Sequence, residues 1–339
     1  MVRGIGLFII ALLVAPAICR FYDKPELLNL LRVSFLSALF FGVTSPRVFV
    51  LEKEFRFIKA ALLIQGSTLL GTLITVGLAF YMRSVWCLVI GRVSEGLLRC
   101  VLSFVFCQFW PKFSIDRTSL EQLLRFCRGM LGLSFLTIVA LQTDVFVLAK
   151  LLPTEQVGMY ALALALAQQP AGMFSQTIGR VLLPAFAKKQ DDKQSICRAA
   201  LKMIRATVVF GVPLIAFAAI FAGPILSVVY GSRYAAVAVP FGILCASMLF
   251  RVQGSILATI FLATGQPHLH RRFVTLLVAL IIVLIYPGVV LFGLAGAAGV
   301  LLLANATAVF MQVIWMREQI GLRFEEYVFC WLPLPRLSR

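Results

Sequence analysis

Charged side chains occur inside stretches of this sequence that are otherwise apolar and long enough to cross a bilayer. A guanidinium group is costly in the hydrocarbon layer, so each such arginine must face protein or water. Guanidinium groups bind phosphate and carboxylate oxygens in bidentate fashion, and a surplus of them predicts a water-filled cavity that receives an anion, phosphate or acidic sugar. Five arginines have this setting: Arg32, Arg92, Arg99, Arg180 and Arg251.

Some of these residues recur at helical spacing. Arg92, Glu95 and Arg99 are three and four positions apart, so they share one helix face, can pair with one another and leave one positive charge over. A second polar stripe on one helix face consists of Gln169, Gln176 and Arg180, which are seven and four residues apart. We predict a substrate-binding cavity lined by Arg92, Glu95, Arg99, Gln169, Gln176, Arg180 and Arg251.

An acid also lies at membrane depth. Asp144, with Gln142 two positions before it, falls in a long apolar run, and we predict that the two residues support ion coupling or form a gating pair. Another interpretation is that the membrane-embedded charges form ion pairs with one another and so hold neighbouring helices together. Long charged side chains can also extend to the membrane interface, where their charge is hydrated. Spacing alone leaves both interpretations open.

Composition assigns the chain to a class. Of its 339 residues, 61% are hydrophobic and 13% are charged, whereas a soluble domain carries roughly 25% charged residues. The sequence therefore predicts an all-α polytopic membrane protein. The first segment also imitates a secretory signal peptide. About ten spans are predicted, near residues 4–19, 27–50, 58–81, 86–110, 126–150, 156–186, 204–230, 235–263, 272–293 and 294–316.

The positive charge is distributed unevenly between the connecting segments. With a cytoplasmic N-terminus, 21 of the 31 lysines and arginines fall on the inside, five fall on the outside, and the other five lie within spans. The positive-inside preference then predicts that both termini are cytoplasmic. Basic cytoplasmic loops meet anionic membrane lipids, so the net charge of +17 requires no nucleic acid as a partner.

Other apparent motifs predict no catalytic chemistry. The eight cysteines are scattered, and His268 with His270 alone makes a poor metal site. The glycine-rich run 293–299 has no strand–helix context and favours close helix packing over dinucleotide binding. No Ser/His/Asp arrangement or phosphate loop is present, so neither an enzyme nor a cofactor or metal site is predicted.

Several short motifs, taken in order, resemble a known family. The chain is similar to the polysaccharide transporters, the O-antigen flippase branch of the multidrug/oligosaccharidyl-lipid/polysaccharide exporter superfamily. The matching motifs cover most of the chain: Phe55-Arg56-Phe57, Trp86 to Gly91, Pro111-x-Phe113, Gln142-x-Asp144, Gly158-x-Tyr160, Gln169-Pro170, Leu183-Pro184, Gly223-Pro224-Ile225 and Tyr230-Gly231.

The resemblance implies two lobes of six helices around a central cavity that opens alternately to either side. It implies flipping of undecaprenyl-diphosphate-linked oligosaccharide across the bacterial cytoplasmic (inner) membrane, with coupling to H⁺ or Na⁺. Here only four spans precede the lobe boundary, so the first two family spans are expected to be missing. The predicted organisation is an N-terminal lobe at 1–112, a cytoplasmic amphipathic linker helix at 113–125, a C-terminal lobe at 126–316 and an interfacial tail at 317–339.

In the predicted mechanism, Arg92, Arg99, Arg180 and Arg251 hold the diphosphate and sugar, and Asp144 with Gln142 supports coupling. A cation-coupled small-molecule exporter of the same superfamily is one alternative. A membrane glycan polymerase or ligase is less well supported, because it would need a large outer loop and the readable outer loops are short. An inactive truncated fragment, or a scaffold in a glycan assembly complex, is a further alternative.

Overall fold

The computed structural model describes residues 2–45, 47, 57–107, 117–188, 192–264 and 266–331. All regular secondary structure in these residues is α-helix or 3₁₀ helix, and no strand occurs among them, so the all-α prediction is confirmed. The helices are α1 Val2–Phe21, α2 Leu27–Val43, α3 Phe57–Met82, α4 Trp86–Cys107, α5 Arg117–Leu151, α6 Thr154–Lys188, α7 Lys193–Ile220, α8 Ala222–Tyr230, α9 Ala238–Ala263, α10 Pro267–Ile320 and α11 Phe324–Phe329, with a 3₁₀ turn at Ser232–Val237.

Helix length and composition confirm a membrane protein that crosses the bilayer several times. In the described part of the chain, five helical stretches are long and apolar enough to span it by themselves. They are Gly4–Phe21, Ala61–Met82, Lys193–Ile220, Ser232–Ala263 and His268–Arg317. The count of ten spans stays a prediction.

One predicted span differs from the helix observed, and another is divided as predicted. The second span was expected over 27–50, but α2 ends at Val43. The seventh was expected near 204–230 with a breaker at Gly223-Pro224, and α7 indeed ends at Ile220 while α8 starts at Ala222. Pro224 explains the break, because proline lacks an N–H donor and is tolerated in the first turn of a helix rather than in its interior.

The long helix α10 contains two membrane passes. Its 54 residues would extend about 80 Å as one straight helix, more than twice the hydrocarbon thickness of a bilayer. Gly293 has φ 57° and ψ −134°, a conformation that glycine adopts without a side-chain clash. After this break, Gly296 packs directly on the backbone carbonyl of Gly288. The close packing predicted for residues 293–299 is thereby confirmed.

This contact allows a matched pair of substitutions. A Cβ at Gly296 would overlap the Gly288 carbonyl, whereas one at Gly299 would meet nothing within 4 Å. Gly296→Ala is expected to destabilise the protein by about 1–3 kcal/mol, as overpacking does. Gly299→Ala is expected to leave the stability unchanged or slightly raised. Thermal unfolding of the detergent-solubilised variants measures the difference, and equal Tm values would contradict the fold-back at Gly293.

The described contacts divide the chain into two compact units, 1–117 and 118–339. In the first unit, α2 packs on α1 and α4, and α3 packs on α4. In the second, α9 lies at the centre and packs on α6, α7 and α10, which explains why half of its apolar stretch is buried. The core there includes the fully buried side chains of Tyr160, Leu244 and Phe261.

The predicted linker helix falls partly outside the described residues, which omit 108–116. From Arg117 the chain is helical and continues without a break through the predicted fifth span. The predicted tail at 317–339 begins inside α10 and contains α11, and residues 332–339 are again outside the described part. These domain boundaries stay predictions.

The helix α11 is fixed to the second unit by one buried tyrosine. The Tyr327 hydroxyl donates a hydrogen bond of 2.6 Å to Gln253 Oε1, and both side chains are fully buried. Burial raises the pKa of Tyr327 to about 12, so the hydroxyl stays protonated and donates at neutral pH. Trp331 stacks on Phe250 beside it, with ring centroids 5.5 Å apart.

Removing this hydroxyl tests the attachment of α11. Tyr327→Phe leaves the buried Gln253 oxygen without its donor and is expected to cost about 1–3 kcal/mol of stability. Tyr286→Phe is the control, because Tyr286 is 60% exposed. Thermal unfolding in detergent compares the two variants, and the idea fails if Tyr327→Phe unfolds at the wild-type temperature.

Candidate functional site

The predicted charged stripe of the first unit is a hydrogen-bonded cluster. Arg92 Nη1 lies 2.6 Å from Glu95 Oε2, and the Thr68 hydroxyl donates to Glu95 Oε1 at 2.9 Å. Gly71 permits this arrangement, since a Cβ at that position would collide with the Glu95 side chain. The pairing predicted from spacing is therefore present. It fixes the Glu95 carboxylate between α3 and α4.

Both arginines of the cluster also lie on one aromatic ring. The guanidinium carbons of Arg92 and Arg99 are 4.8 and 5.4 Å from the centroid of the Phe41 ring on α2. These contacts are cation–π interactions. Arg99 has no acidic partner among the described residues, so the cluster retains one uncompensated positive charge. Binding of an anion by this charge stays a prediction.

The second unit contains a partly open cavity of about 350 Å³, with several polar residues on its wall, between α5, α6, α9 and α10. Each helix contributes residues three or four positions apart, as one face of an α-helix must. On α5, for example, these are Thr137, Ala140, Leu141 and Asp144. Its polar and charged lining residues include Asp144, Gln168, Arg251, Ser255, Thr259, His270, Asn305 and Gln312.

Three residues that line the cavity each have a buried polar atom without a hydrogen-bond partner in the described part of the chain. These atoms are Asp144 Oδ1, His270 Nδ1 and Gln312 Oε1. The other Asp144 oxygen accepts a 3.1 Å hydrogen bond from the Tyr160 hydroxyl. Buried polar groups are almost always satisfied, so three orphaned atoms around one cavity indicate that it takes water, an ion or a polar guest.

Opposite charges share this cavity without direct contact. Arg251 on α9 and Asp144 on α5 both line it and attract each other electrostatically. Among the described residues neither makes an ion pair within salt-bridge distance. Asp144 is only 1% exposed. A buried carboxyl that has a free oxygen and a distant counter-charge is suited to exchange a proton or hold a small cation.

The structure does not bring all the predicted residues to the cavity. Gln142 is exposed while Asp144 is buried, because two positions along a helix rotate a side chain by about 200°. Gln169 is also exposed, and its neighbour Gln168 lines the cavity instead. Gln142 and Gln169 therefore do not line this cavity, and their predicted roles stay predictions. Gln176 and Arg180 lie in α6, but their side chains are outside the described part of the structure.

Sequence reasoning missed the polar residues that α10 contributes. His270 falls between the predicted spans 235–263 and 272–293, whereas the structure places it in the first turn of α10. Asn305 and Gln312 lie within the predicted span 294–316 and are absent from the predicted set of cavity-lining residues. Asn305 and Gln312 are seven positions apart in an apolar run, and this two-turn spacing was the signal available.

Comparison with known proteins identifies the family. Residues 1–239 match the model of the polysaccharide biosynthesis protein family, which is well over half of the chain. The chain belongs to this family. It is 26% identical over 332 residues to the amylovoran biosynthesis protein AmsL of Erwinia amylovora, covering 96% of the chain and 85% of that protein. It is 24% identical to the lipopolysaccharide biosynthesis protein WzxC of Escherichia coli, covering 97% and 68%.

Solved structures show the same fold in transporters. The lipid II flippase MurJ in an inward closed conformation superposes with a TM-score of 0.71 at 12% identity, over 97% of this chain and 72% of that one. An inward-facing multidrug resistance MATE transporter of the MOP superfamily gives 0.61 at 17% identity, over 94% and 78%. This polysaccharide biosynthesis family member therefore has the fold of these two transporters, as the sequence resemblance predicted.

Proposed function

We propose that the chain flips an oligosaccharide carried on undecaprenyl diphosphate across the bacterial cytoplasmic membrane, with both of its termini on the cytoplasmic side. Membership of the polysaccharide biosynthesis family supports the substrate class. The fold shared with a lipid II flippase supports the movement of a lipid-linked sugar. The observation that carries the proposal is the polar cavity with three orphaned buried atoms inside the apolar helices of the second unit.

In this proposal the arginines meet the anionic part of the substrate. Arg99 is the strongest candidate in the first unit, because it lacks an acidic partner among the described residues while Arg92 is neutralised by Glu95. Arg251 takes the same role in the second unit, since no described residue forms a direct ion pair with it. Two-pronged hydrogen bonding to a diphosphate suits both guanidinium groups. Arg180 belongs to the proposed set on sequence grounds.

Coupling to an ion gradient is assigned to Asp144 in the same proposal. A carboxylate that gains H⁺ or binds Na⁺ loses its net charge, and that change alters its attraction to Arg251 across the cavity. Such a differential interaction is what a transporter needs in order to couple ion movement to a conformational change. Gln142 has no part in this revised assignment, because its side chain is exposed.

A reconstitution assay tests the proposed function. The purified chain is incorporated into liposomes that contain undecaprenyl-diphosphate-linked oligosaccharide with a fluorescent sugar, and dithionite is added outside. In protein-free liposomes dithionite quenches only the outer-leaflet pool. The proposal predicts that the protein makes the inner-leaflet pool accessible too. Protein-containing vesicles that quench no more than protein-free ones would refute the flippase assignment.

A second candidate function is export of small amphipathic molecules. An apolar groove of about 260 Å³ between α6, α7 and α9 favours it, with Leu166, Pro170, Phe174, Phe210 and Leu249 among its lining residues. Such a groove suits an uncharged or weakly polar drug. The same vesicles decide between the two functions. Gradient-driven uptake of a fluorescent dye without oligosaccharide flipping would favour the exporter.

A further inference from the structure

The polar residues of the second-unit cavity are arranged by depth. On α10, His270 lies in the first turn and the other lining residues of that pass extend to Ile281. Eleven residues of helix rise about 16 Å, which is about half the hydrocarbon thickness. The second pass of α10 runs back from Gly293, so Gln312 returns to a depth close to that of His270. The cavity therefore extends inward from the end of the bundle where α9 meets α10.

The other helices place their polar groups along the same path. On α9, Thr259 lies four residues from the end at Ala263, while Arg251 lies twelve residues from it, near the middle of the helix. Asp144 lies seven residues, or about 10 Å, before the end of α5 at Leu151, which is the end of the bundle opposite to the α9–α10 connection. His270, Gln312 and Thr259 thus occupy one end of the cavity, and Asp144 and Arg251 occupy the inner end.

We propose that this cavity is a proton half-channel that connects Asp144 to the membrane face bearing Arg271 and Arg272, with His270 as the proton-exchanging group at its mouth. This inference deepens the proposed function and rests on it for its role in transport. In the step proposed, an imidazolium at His270 releases its Nδ1 proton to water in the cavity, and a water proton passes to Asp144 Oδ1. The imidazole becomes neutral, the carboxylate becomes a carboxylic acid, and the total charge is unchanged.

The ionisable groups around this path are few. Among the described residues that line the cavity they are Asp144 from α5, Arg251 from α9 and His270 from α10. From α6, the cavity receives Gln168, and Tyr160 donates its hydroxyl to Asp144. Histidine is the side chain whose charge ordinarily changes between pH 5 and 8, so it is the group in this set suited to relay protons under physiological conditions. His270 and Asp144 each present an orphaned atom for that exchange.

A substrate-free measurement tests the relay. Infrared spectra of the reconstituted full chain after a rapid pH drop follow the C=O stretching band of protonated Asp144, identified by its absence in Asp144→Asn. His270→Gln keeps a polar side chain of similar reach but cannot titrate, and it should slow the growth of this band on the order of 100-fold. His268→Gln is the matched control, because His268 is exposed two positions away and does not line the cavity.

The outcomes separate this inference from the proposed function. A slowed band in His270→Gln with a wild-type rate in His268→Gln supports the half-channel, even if no oligosaccharide is ever flipped. Equal rates of band growth in wild type, His270→Gln and His268→Gln overturn it. The half-channel is also overturned if the wild-type spectrum contains no band that disappears in Asp144→Asn. In the flipping assay, His270→Gln should lose stimulation by a pH gradient and keep exchange without a gradient. Loss of both would assign His270 a structural role and overturn the relay.

Discussion

Asp144→Asn is expected to reduce gradient-driven flipping by about 100-fold or more, which is the scale of losing a positioned proton-transfer group. Asparagine has the shape of aspartate and can still accept the hydrogen bond from Tyr160, which is 3.1 Å long in the native protein. What it lacks is a carboxyl group that can change charge. The measurement is the dithionite assay with and without an imposed H⁺ or Na⁺ gradient, at equal amounts of monodisperse protein.

Gln142 provides the control for this prediction on the same helix. Gln142→Ala removes a polar side chain that is exposed, and it is expected to leave flipping within experimental error of wild type. The sequence alone suggested that the two residues act together, so the pair of variants also tests that predicted partnership. Full gradient-driven activity in Asp144→Asn, or an equal loss in both variants, would remove Asp144 from the coupling role.

The contrast between Gln142 and Asp144 illustrates what sequence reasoning could and could not establish. Hydropathy identified the apolar segments, because the bilayer requires long apolar helices whatever their neighbours are. Spacing within one helix also predicted the Arg92–Glu95 pair correctly, since i and i+3 positions are adjacent on any α-helix. Which face of α5 turns inward depends on the helices that pack against it, and that information is not local.

The cavity itself could be predicted only in part. Asp144 and Arg251 were recognised because charge inside an apolar run is costly and rare. Asn305 and Gln312 were missed because their predicted span, 294–316, contains no charged residue that would draw attention to it. The amides that were recognised, such as Gln176, share a span with an arginine. Nevertheless α10 places Asn305 and Gln312 on the cavity wall. His270 was missed for another reason: the Arg271 and Arg272 that follow it made the segment read as a loop, whereas Pro267 begins a helix there.

The double substitution Arg92→Gln with Arg99→Gln should abolish complementation of a flippase-null strain. Arg99 supplies the uncompensated charge of the first unit, so Arg99→Gln alone is expected to have the larger single effect. Arg92→Gln alone breaks the 2.6 Å pair with Glu95 and frees that carboxylate to attract Arg99. Charge-assisted hydrogen bonds are worth about 1.5–3 kcal/mol each, so losing both guanidinium groups corresponds to about 150-fold or more in rate.

Arg32→Gln is the matched control for the double variant, because Arg32 lies in a predicted span of the same unit and its side chain is exposed. It should complement the null strain as well as wild type does. Membrane levels of all the variants are compared by immunoblot, so that a failure to insert is separated from a failure to flip. If the inserted double variant restores surface polysaccharide fully, the cluster around Phe41 only holds α2 and α4 together, and the anion must be bound elsewhere.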